Sequence, residues 1–240
     1  MTDRRIQTGI AGLDEILGGG FMPGASVLIE GSPGSGKTNL GLQILYHGMT
    51  KYNEPGILVS FEQFPEQIFR DGLRLGMDLK ALQEQGLFEV ILTSPMKFQE
   101  SVAGGGTEIQ EEVDAAFDRI HPKRVLIDSV SHFRRISEQE AQLRELLMQL
   151  LHHLVRLGAT TFLTKEVQFM DNAPITFEEY LVDASLRLYN LPAMGMGGTR
   201  RLLEIRKTRG HEHRSGKHPL RFTDQGVEIY PQRRPQVSMV

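Results

Sequence analysis

The stretch Gly31-Ser32-Pro33-Gly34-Ser35-Gly36-Lys37-Thr38 constrains the fold of this 240-residue chain more than any other. It has the form Gly-x-x-x-x-Gly-Lys-Thr. A short apolar run, Val27-Leu28-Ile29, precedes it and reads as a buried strand. After it, Asn39 to Tyr52 carries Leu40, Ile44, Leu45 and Met49 at helical spacing. A strand, a glycine-rich loop and a helix in that order make a phosphate-binding loop. Glycines let backbone N–H groups turn inward around an anion, and the helix start adds the positive end of its dipole. In that arrangement Lys37 reaches the β- and γ-phosphates, and the Thr38 hydroxyl ligates Mg²⁺. The expected contacts with a nucleoside triphosphate are Ser32, Pro33, Gly34, Ser35, Gly36, Lys37, Thr38 and Asn39. A purely structural glycine-rich turn is the competing reading, and the correct flanks argue against it.

Upstream, Leu13 to Leu17 forms a short helical turn between glycines, and Pro23-Gly24 turns the chain into the first strand. Downstream, apolar strands at Gly56–Glu62, Phe88–Leu92, Arg124–Ser129 and Ala159–Thr164 alternate with helices. Those helices span Pro65–Leu75, Glu108–Ile120 and Glu138–Leu157. The inner faces are expected at Ile68, Leu73 and Leu75, and at Ile109, Val113, Ala116 and Phe117. Ser94 to Thr107, with Pro95 and three consecutive glycines, reads as a flexible loop. Alternation at this spacing predicts an α/β fold: a mainly parallel twisted sheet with helices on both faces. After Glu166 the alternation stops. Val167–Tyr180 is polar, Leu181–Leu191 is strand-like, and Pro192–Thr199 is a Gly/Met loop. Arg201–Lys207, Leu220–Thr223 and Val227–Tyr230 read as late antiparallel strands. The expectation is one domain over residues 1–240. It divides into an N-terminal segment (1–24), a core (25–191), a C-terminal β extension (192–230) and a frayed tail (231–240).

The length suffices to bury roughly 70–75% of the unfolded surface. With no cysteine, disulfides, thiolate metal sites and a Cys nucleophile are excluded. The polar N-terminus leads into no apolar signal region, and no apolar run reaches membrane-spanning length. The expectation is a cytoplasmic protein with no membrane partner. Net charge is −3, unevenly spread: from Arg200 onward ten Lys/Arg face four Asp/Glu, giving +6 and leaving −9 on residues 1–199. Such an end could meet nucleic acid, a nucleotide phosphate or the acidic face of another copy.

Two carboxylates and a basic cluster carry the remaining chemistry. Asp128 ends an apolar strand, where open α/β sheets bind ligands, so it is expected to hold Mg²⁺ beside Thr38, directly or through water. Glu62 also ends a strand and could deprotonate a water attacking the γ-phosphate. Lys207-Thr208-Arg209-Gly210-His211-Glu212-His213 gathers cationic and titratable groups. A metal site from His211, His213 and His218 lacks the usual partners at ligand spacing. Lys207 and Arg209 alternate along a strand and so share a face. Since Lys37 already serves the chain's own loop, they are expected to act as cationic fingers in trans.

Four stretches together resemble the KaiC-like branch of the RecA-type ATPases, in a single-domain form, over nearly the whole chain. They are Thr8-Gly9-Ile10-x-Gly12-Leu13-Asp14-x-x-Leu17-Gly18-Gly19-Gly20; the phosphate loop; Ser60-Phe61-Glu62 with Ile127-Asp128-Ser129; and Lys207-x-Arg209-Gly210-x-x-His213-x-x-Gly216-x-x-Pro219. The first and last are specific to the branch. The resemblance implies ATP as nucleotide, Glu62 as catalytic base, and Lys207, Arg209 and His213 as residues that reach the nucleotide of a neighbouring subunit. It implies a homo-oligomeric ring, usually hexameric. The circadian members have two acidic residues after the Phe, where this chain has Glu62-Gln63. They also have two fused domains and a late Ser-Thr pair that Pro192–Thr199 lacks.

The leading expectation is a slow ring-forming ATPase that switches a regulatory protein partner. A Ser/Thr autokinase using Lys37, Glu62 and the same Mg²⁺ is one alternative. A DNA-binding recombinase or motor is another. Nucleic acid is the less favoured partner, because Ser94–Thr107 and Val167–Thr199 hold few Lys/Arg and aromatic residues for a pore.

Overall fold

Runs of consecutive apolar strand residues must be covered on both faces, and Val27–Ile29, Ile57–Val59 and Val125–Ile127 are all buried. The structure, a computed structural model, describes residues 5–97, 108–135, 139–168, 176–192, 198–224 and 226–231. The first half runs α1 (Leu13–Ile16), β1 (Ser26–Gly31), α2 (Lys37–Tyr52), β2 (Gly56–Ser60), α3 (Pro65–Arg74), α4 (Leu79–Glu84) and β3 (Phe88–Leu92). Then come α5 (Glu108–Ile120), β4 (Arg124–Asp128), a 3₁₀ turn (Val130–Arg135), α6 (Glu140–Arg156) and β5 (Thr160–Glu166). The chain closes with α7 (Phe177–Leu181), β6 (Ala184–Pro192), β7 (Thr199–Thr208), β8 (Lys217–Thr223) and β9 (Gly226–Ile229).

The described strands form one sheet in the order β3-β2-β4-β5-β1-β6-β7-β8-β9. From β3 to β6 every pairing is parallel, and from β6 to β9 every pairing is antiparallel. The expected α/β architecture with an antiparallel extension is therefore the one observed. Side chains alternate across each strand and feed two cores. Val27 and Ile29 face one, with Leu40 and Ile44 of α2, Phe21 beside α1, and Leu203 and Val227 of the late strands. Leu28, Val125 and Leu163 face the other, against Val113 and Phe117 of α5 and Leu147 and Leu151 of α6.

Polar groups fix the ends of these layers. Asp14 explains the first sequence signature: its carboxylate accepts from Thr8 N (2.7 Å), Thr8 Oγ1 (2.8 Å) and Gly9 N (2.9 Å), folding the segment back on α1. Arg124, fully buried, donates to Glu54 Oε2 at 2.8 and 2.6 Å and to the Ile44 carbonyl at 2.9 Å. A Cβ at Gly48 would lie 2.5 Å from its Nε, so α2 has glycine where this guanidinium crosses it.

Some expectations need correction. In α3, Ile68 is buried but Leu73 is 63% exposed. Gly72 takes the inner position instead, close enough to α4 that an added Cβ would stand 2.9 Å from Leu79 Cδ1. Helix α4 was not expected; Asp78 starts it by accepting from Ala81 N at 3.0 Å. Within Ser94–Thr107, Pro95 to Lys97 is helical, and 98–107 lies outside the described residues. The same holds for 169–175, 193–197, the tail from 232, and the burial of Ile109. The polar stretch before β6 contains the short helix α7. No described helix is long and apolar enough to cross a membrane.

His47 of α2 meets the folded-back segment, its Nδ1 lying 3.2 Å from the Thr8 carbonyl. A carbonyl only accepts, so Nδ1 carries the proton. Burial, with Lys51 adding to it, lowers the imidazole to about 4. An unfolded histidine titrates near about 6.5. The stability His47 contributes is therefore complete above that value and lost as pH falls through about 4. Between pH 7 and pH 4.5 the urea midpoint should fall, and it should fall less in His47→Asn. An equal fall in both proteins would remove His47 as a source.

Candidate nucleotide site

The C-terminal ends of β1, β2, β4 and β5 converge on one edge of the sheet, and the loop Gly31–Lys37 rises from β1 there. Gly36 sits at φ 100°, and a Cβ on it would lie 2.2 Å from Phe222 Cζ. Only glycine fits both the backbone and the neighbour. The residues from Lys37 form the first turn of α2, so the free N–H groups of that turn point into the loop.

Lys37 Nζ donates to the Ser32 carbonyl at 3.0 Å. Burial lowers its pKa, while the nearby carboxylates of Glu166 and Asp128 pull the other way. Thr38 Oγ1 stands 3.2 and 3.0 Å from the two oxygens of Asp128, and Thr164 Oγ1 donates to the same carboxylate. Residues 38, 128 and 164 thus form an all-oxygen group at three element ends. Such a donor set suits Mg²⁺, a hard cation that takes carboxylate, hydroxyl and water oxygens. The Asp128–Ser129 peptide is cis.

Glu62 follows β2 beside this group: Ser60 is the register partner of Asp128, and Phe61 N donates to the Asp128 carbonyl at 3.2 Å. Its carboxylate is exposed and stands 3.3 Å from His132 Nε2 on the 3₁₀ turn. The next residue, Gln63, is tied down: its N–H donates to Ser60 Oγ, which donates back to the Gln63 carbonyl.

A cavity of about 450 Å³ opens over the loop, and Leu75, Arg201 and Phe222 form its far wall. Arg201 lies over the Phe222 ring at 5.0 Å. Sequence reading missed Arg201 and Phe222 as site residues. They reach the loop only through pairing of β6, β7 and β8, a contact across some 180 residues that no local pattern carries. A second cavity of about 440 Å³ runs along the sheet edge at β3, far from these groups.

The basic cluster lies elsewhere. β7 runs antiparallel to β6, so its end reaches the level where β1 begins: Arg209 N donates to the Asp183 carbonyl, and Asp183 N to the Ser26 carbonyl. From Ser26 to Gly31 is five residues, about 16 Å along a strand. Lys207 Nζ donates to the carbonyls of Glu179 (2.9 Å), Tyr180 (3.3 Å) and Val182 (2.6 Å). Arg209 donates to the Tyr180 carbonyl at 2.8 Å and lies 3.4 Å from Asp183 Oδ1. His213 turns aside. Thr208 Oγ1 donates to the His211 carbonyl at 2.7 Å and stands 2.8 Å from His213 Nδ1. Burial lowers the His213 pKa, leaving it neutral near pH 7. The structure thus brings Lys37, Thr38, Asp128 and Glu62 together and keeps Lys207, Arg209 and His213 apart from them.

A mainly parallel sheet with a phosphate loop and a strand-end Asp facing its Thr defines a RecA-like P-loop protein. The family model of the KaiC ATPases matches residues 6–234. The circadian clock oscillator protein KaiC of Synechococcus elongatus is 34% identical over 95% of this chain and 44% of its own length. That of Parathermosynechococcus lividus is 34% identical over 94% and 42%. A KaiC-like protein of the archaeon Pyrococcus horikoshii OT3 superposes with a TM-score of 0.81 at 28% identity, covering 95% of this chain and 99% of that one. The chain belongs to the KaiC ATPase family. It spans less than half the length of the curated relatives it matches.

Gly36→Ala should destabilise the fold by about 1–3 kcal/mol from backbone strain, with the Phe222 clash added. Replacing Phe222 by Ala as well should recover part of that loss. A double-mutant cycle in urea with strictly additive effects would show that the Phe222 contact does not matter.

Proposed function

We propose that this protein is a Mg²⁺-dependent ATPase that works as a homo-oligomeric ring, hexameric as the family resemblance implies, with ATP at subunit interfaces. One observation carries the reading: along the strand direction Arg209 lies about 16 Å and Lys207 about 10 Å from the level of the phosphate loop, and both point to the opposite end of the sheet. In one copy they cannot meet; between neighbours in a ring they do.

The loop residues from Ser32 to Asn39 hold the triphosphate, Lys37 exchanging the Ser32 carbonyl for phosphate oxygen. Thr38 and Asp128 hold Mg²⁺, which when bound neutralises charge on the phosphate oxygens. The apolar wall of Leu75 and Phe222 offers the base a surface. Glu62 takes a proton from a water as its oxygen bonds to the γ-phosphorus. The bond from that phosphorus to the bridging oxygen breaks, and the electron pair leaves with ADP. Lys207 and Arg209 of the adjacent copy stabilise the charge on the transferring group, and His213 supports their loop. Hydrolysis would switch contacts with a regulatory partner protein. The chain's single acid after Phe61 favours water over a protein hydroxyl as nucleophile.

Arg209→Ala should keep ATP binding and lose hydrolysis by roughly 10³-fold or more, as for other cations acting in trans. Light scattering should show wild type assembling into a ring with ATP and Mg²⁺. A monomer under every condition, with Arg209→Ala hydrolysing normally, would sink the ring reading.

A further inference from the structure

A row of charges crosses the sheet interior one residue before the phosphate loop. Lys165 of β5, Glu30 of β1 and Arg187 of β6 are register partners on adjacent strands. Helix α7 lays Glu178 and Glu179 over them. Arg187 binds Glu30 through Nε and Nη2, and its Nη2 lies 3.7 Å from Glu179 Oε2. Lys165 binds Glu178 and donates to Thr176 Oγ1 at 2.8 Å. Arg206 of β7 reaches Glu179 Oε1 at 3.6 Å. Apart from Arg206, every charged residue of this group is buried.

Such a network contributes little to stability, because desolvating each ion offsets most of the attraction. Nor is it fully satisfied: Glu30 Oε2 and Glu179 Oε2 accept no hydrogen bond among the described residues. Its geometry has a second outcome. The backbone carbonyls of Glu179, Tyr180 and Val182, at the end of α7, are the acceptors that hold Lys207, and the Tyr180 carbonyl also holds Arg209. A bulge aims Lys207 at them. Leu186 pairs with Ile205 and Ser185 with Lys207, so Arg206 is the extra residue. Without it Lys207 would share the face of Ile205, which is buried in the core on the α2 side. Two successive cations, Arg206 and Lys207, therefore point at the same short helix.

We propose that Lys165, Glu30 and Arg187, with Glu178 and Glu179 of α7, are positioning residues for the cations that act in trans. They fix α7 on the sheet, and its carbonyls hold Lys207 and Arg209 at the site from which Lys207 exchanges a carbonyl for phosphate oxygen of the neighbouring copy. Since Glu30 immediately precedes Gly31, one strand joins each copy's own phosphate loop to the cations it presents to its neighbour. The proposal rests on the trans reading above and adds the device that holds the fingers.

Glu30→Gln combined with Arg187→Gln removes the central pair together, and Glu179 keeps Arg206 as its cation. Lys165→Met combined with Glu178→Gln removes the other buried pair whole, and it carries the same test should the first double variant fail to fold. Each is expected to bind a fluorescent ATP analogue within about twofold of wild type while kcat falls roughly tenfold. Co-production with Lys37→Ala, whose own site is disabled but whose cations are intact, should restore hydrolysis above the sum of the two separate proteins. Arg209→Ala co-produced with Lys37→Ala is the control for catalysis in trans. If that control gains activity and the network variants do not, or if they lose ATP binding in step with kcat, the positioning role is overturned while the ring reading stands. If the control gains nothing and Arg209→Ala alone hydrolyses normally, the trans reading fails and this proposal fails with it.

Discussion

Antiparallel pairing of β7 on β6 decides where charge can act in this molecule. Six parallel strands deliver their C-terminal ends, and the polar residues on them, to one edge. A seventh parallel strand would have brought Lys207 and Arg209 to that edge too. Reversal sends them to the opposite edge, beside Asp183. Under the proposed function, a site made from both ends of one sheet needs two copies, so chain direction at this one pairing underlies the proposed assembly.

The reversal also moves Phe222 and Arg201 onto the phosphate loop. β8 returns toward the loop edge, and Gly36 has no side chain because Phe222 occupies that space. The antiparallel extension thus walls the cavity over the phosphate loop at one edge and places cations at the other. Both tasks fall to strands that share the core of β1 and α2 through Leu203, Leu220 and Val227. The other face carries the second core and, toward the loop end of β1, the polar row of Lys165, Glu30 and Arg187 beneath α7.

Much of the site was readable in the chain because its parts are local. Thr38 lies one residue from Lys37, and the strand before Asp128 is apolar at three consecutive positions, so spacing alone located both. Their hydroxyl–carboxylate contact then follows from parallel neighbours ending at one edge. The strand-end position of Glu62 was legible for the same reason. The inner face of α3 was misread at Leu73 because helical periodicity cannot tell which flank a neighbour covers; α4 covers the Gly72 flank. The family resemblance grouped His213 with Lys207 and Arg209 as residues that reach a neighbour's nucleotide. Its burial against Thr208, which lowers its pKa, depends on how the loop after β7 closes.

The buried charges mark the limit of sequence reading. Glu30 and Arg187 stand 157 residues apart in strands that otherwise read as apolar, and each alone resembles an ordinary interruption. By itself the sequence determined the phosphate loop, the alternation of strands and helices, and the acids at strand ends, because each depends on contacts within a few residues. Tertiary structure decided strand order, the reversal at β7, the Arg206 bulge and the charge row under α7. Those depend on which strands become neighbours, a global choice made by burying two cores at once, and no short stretch of chain encodes it.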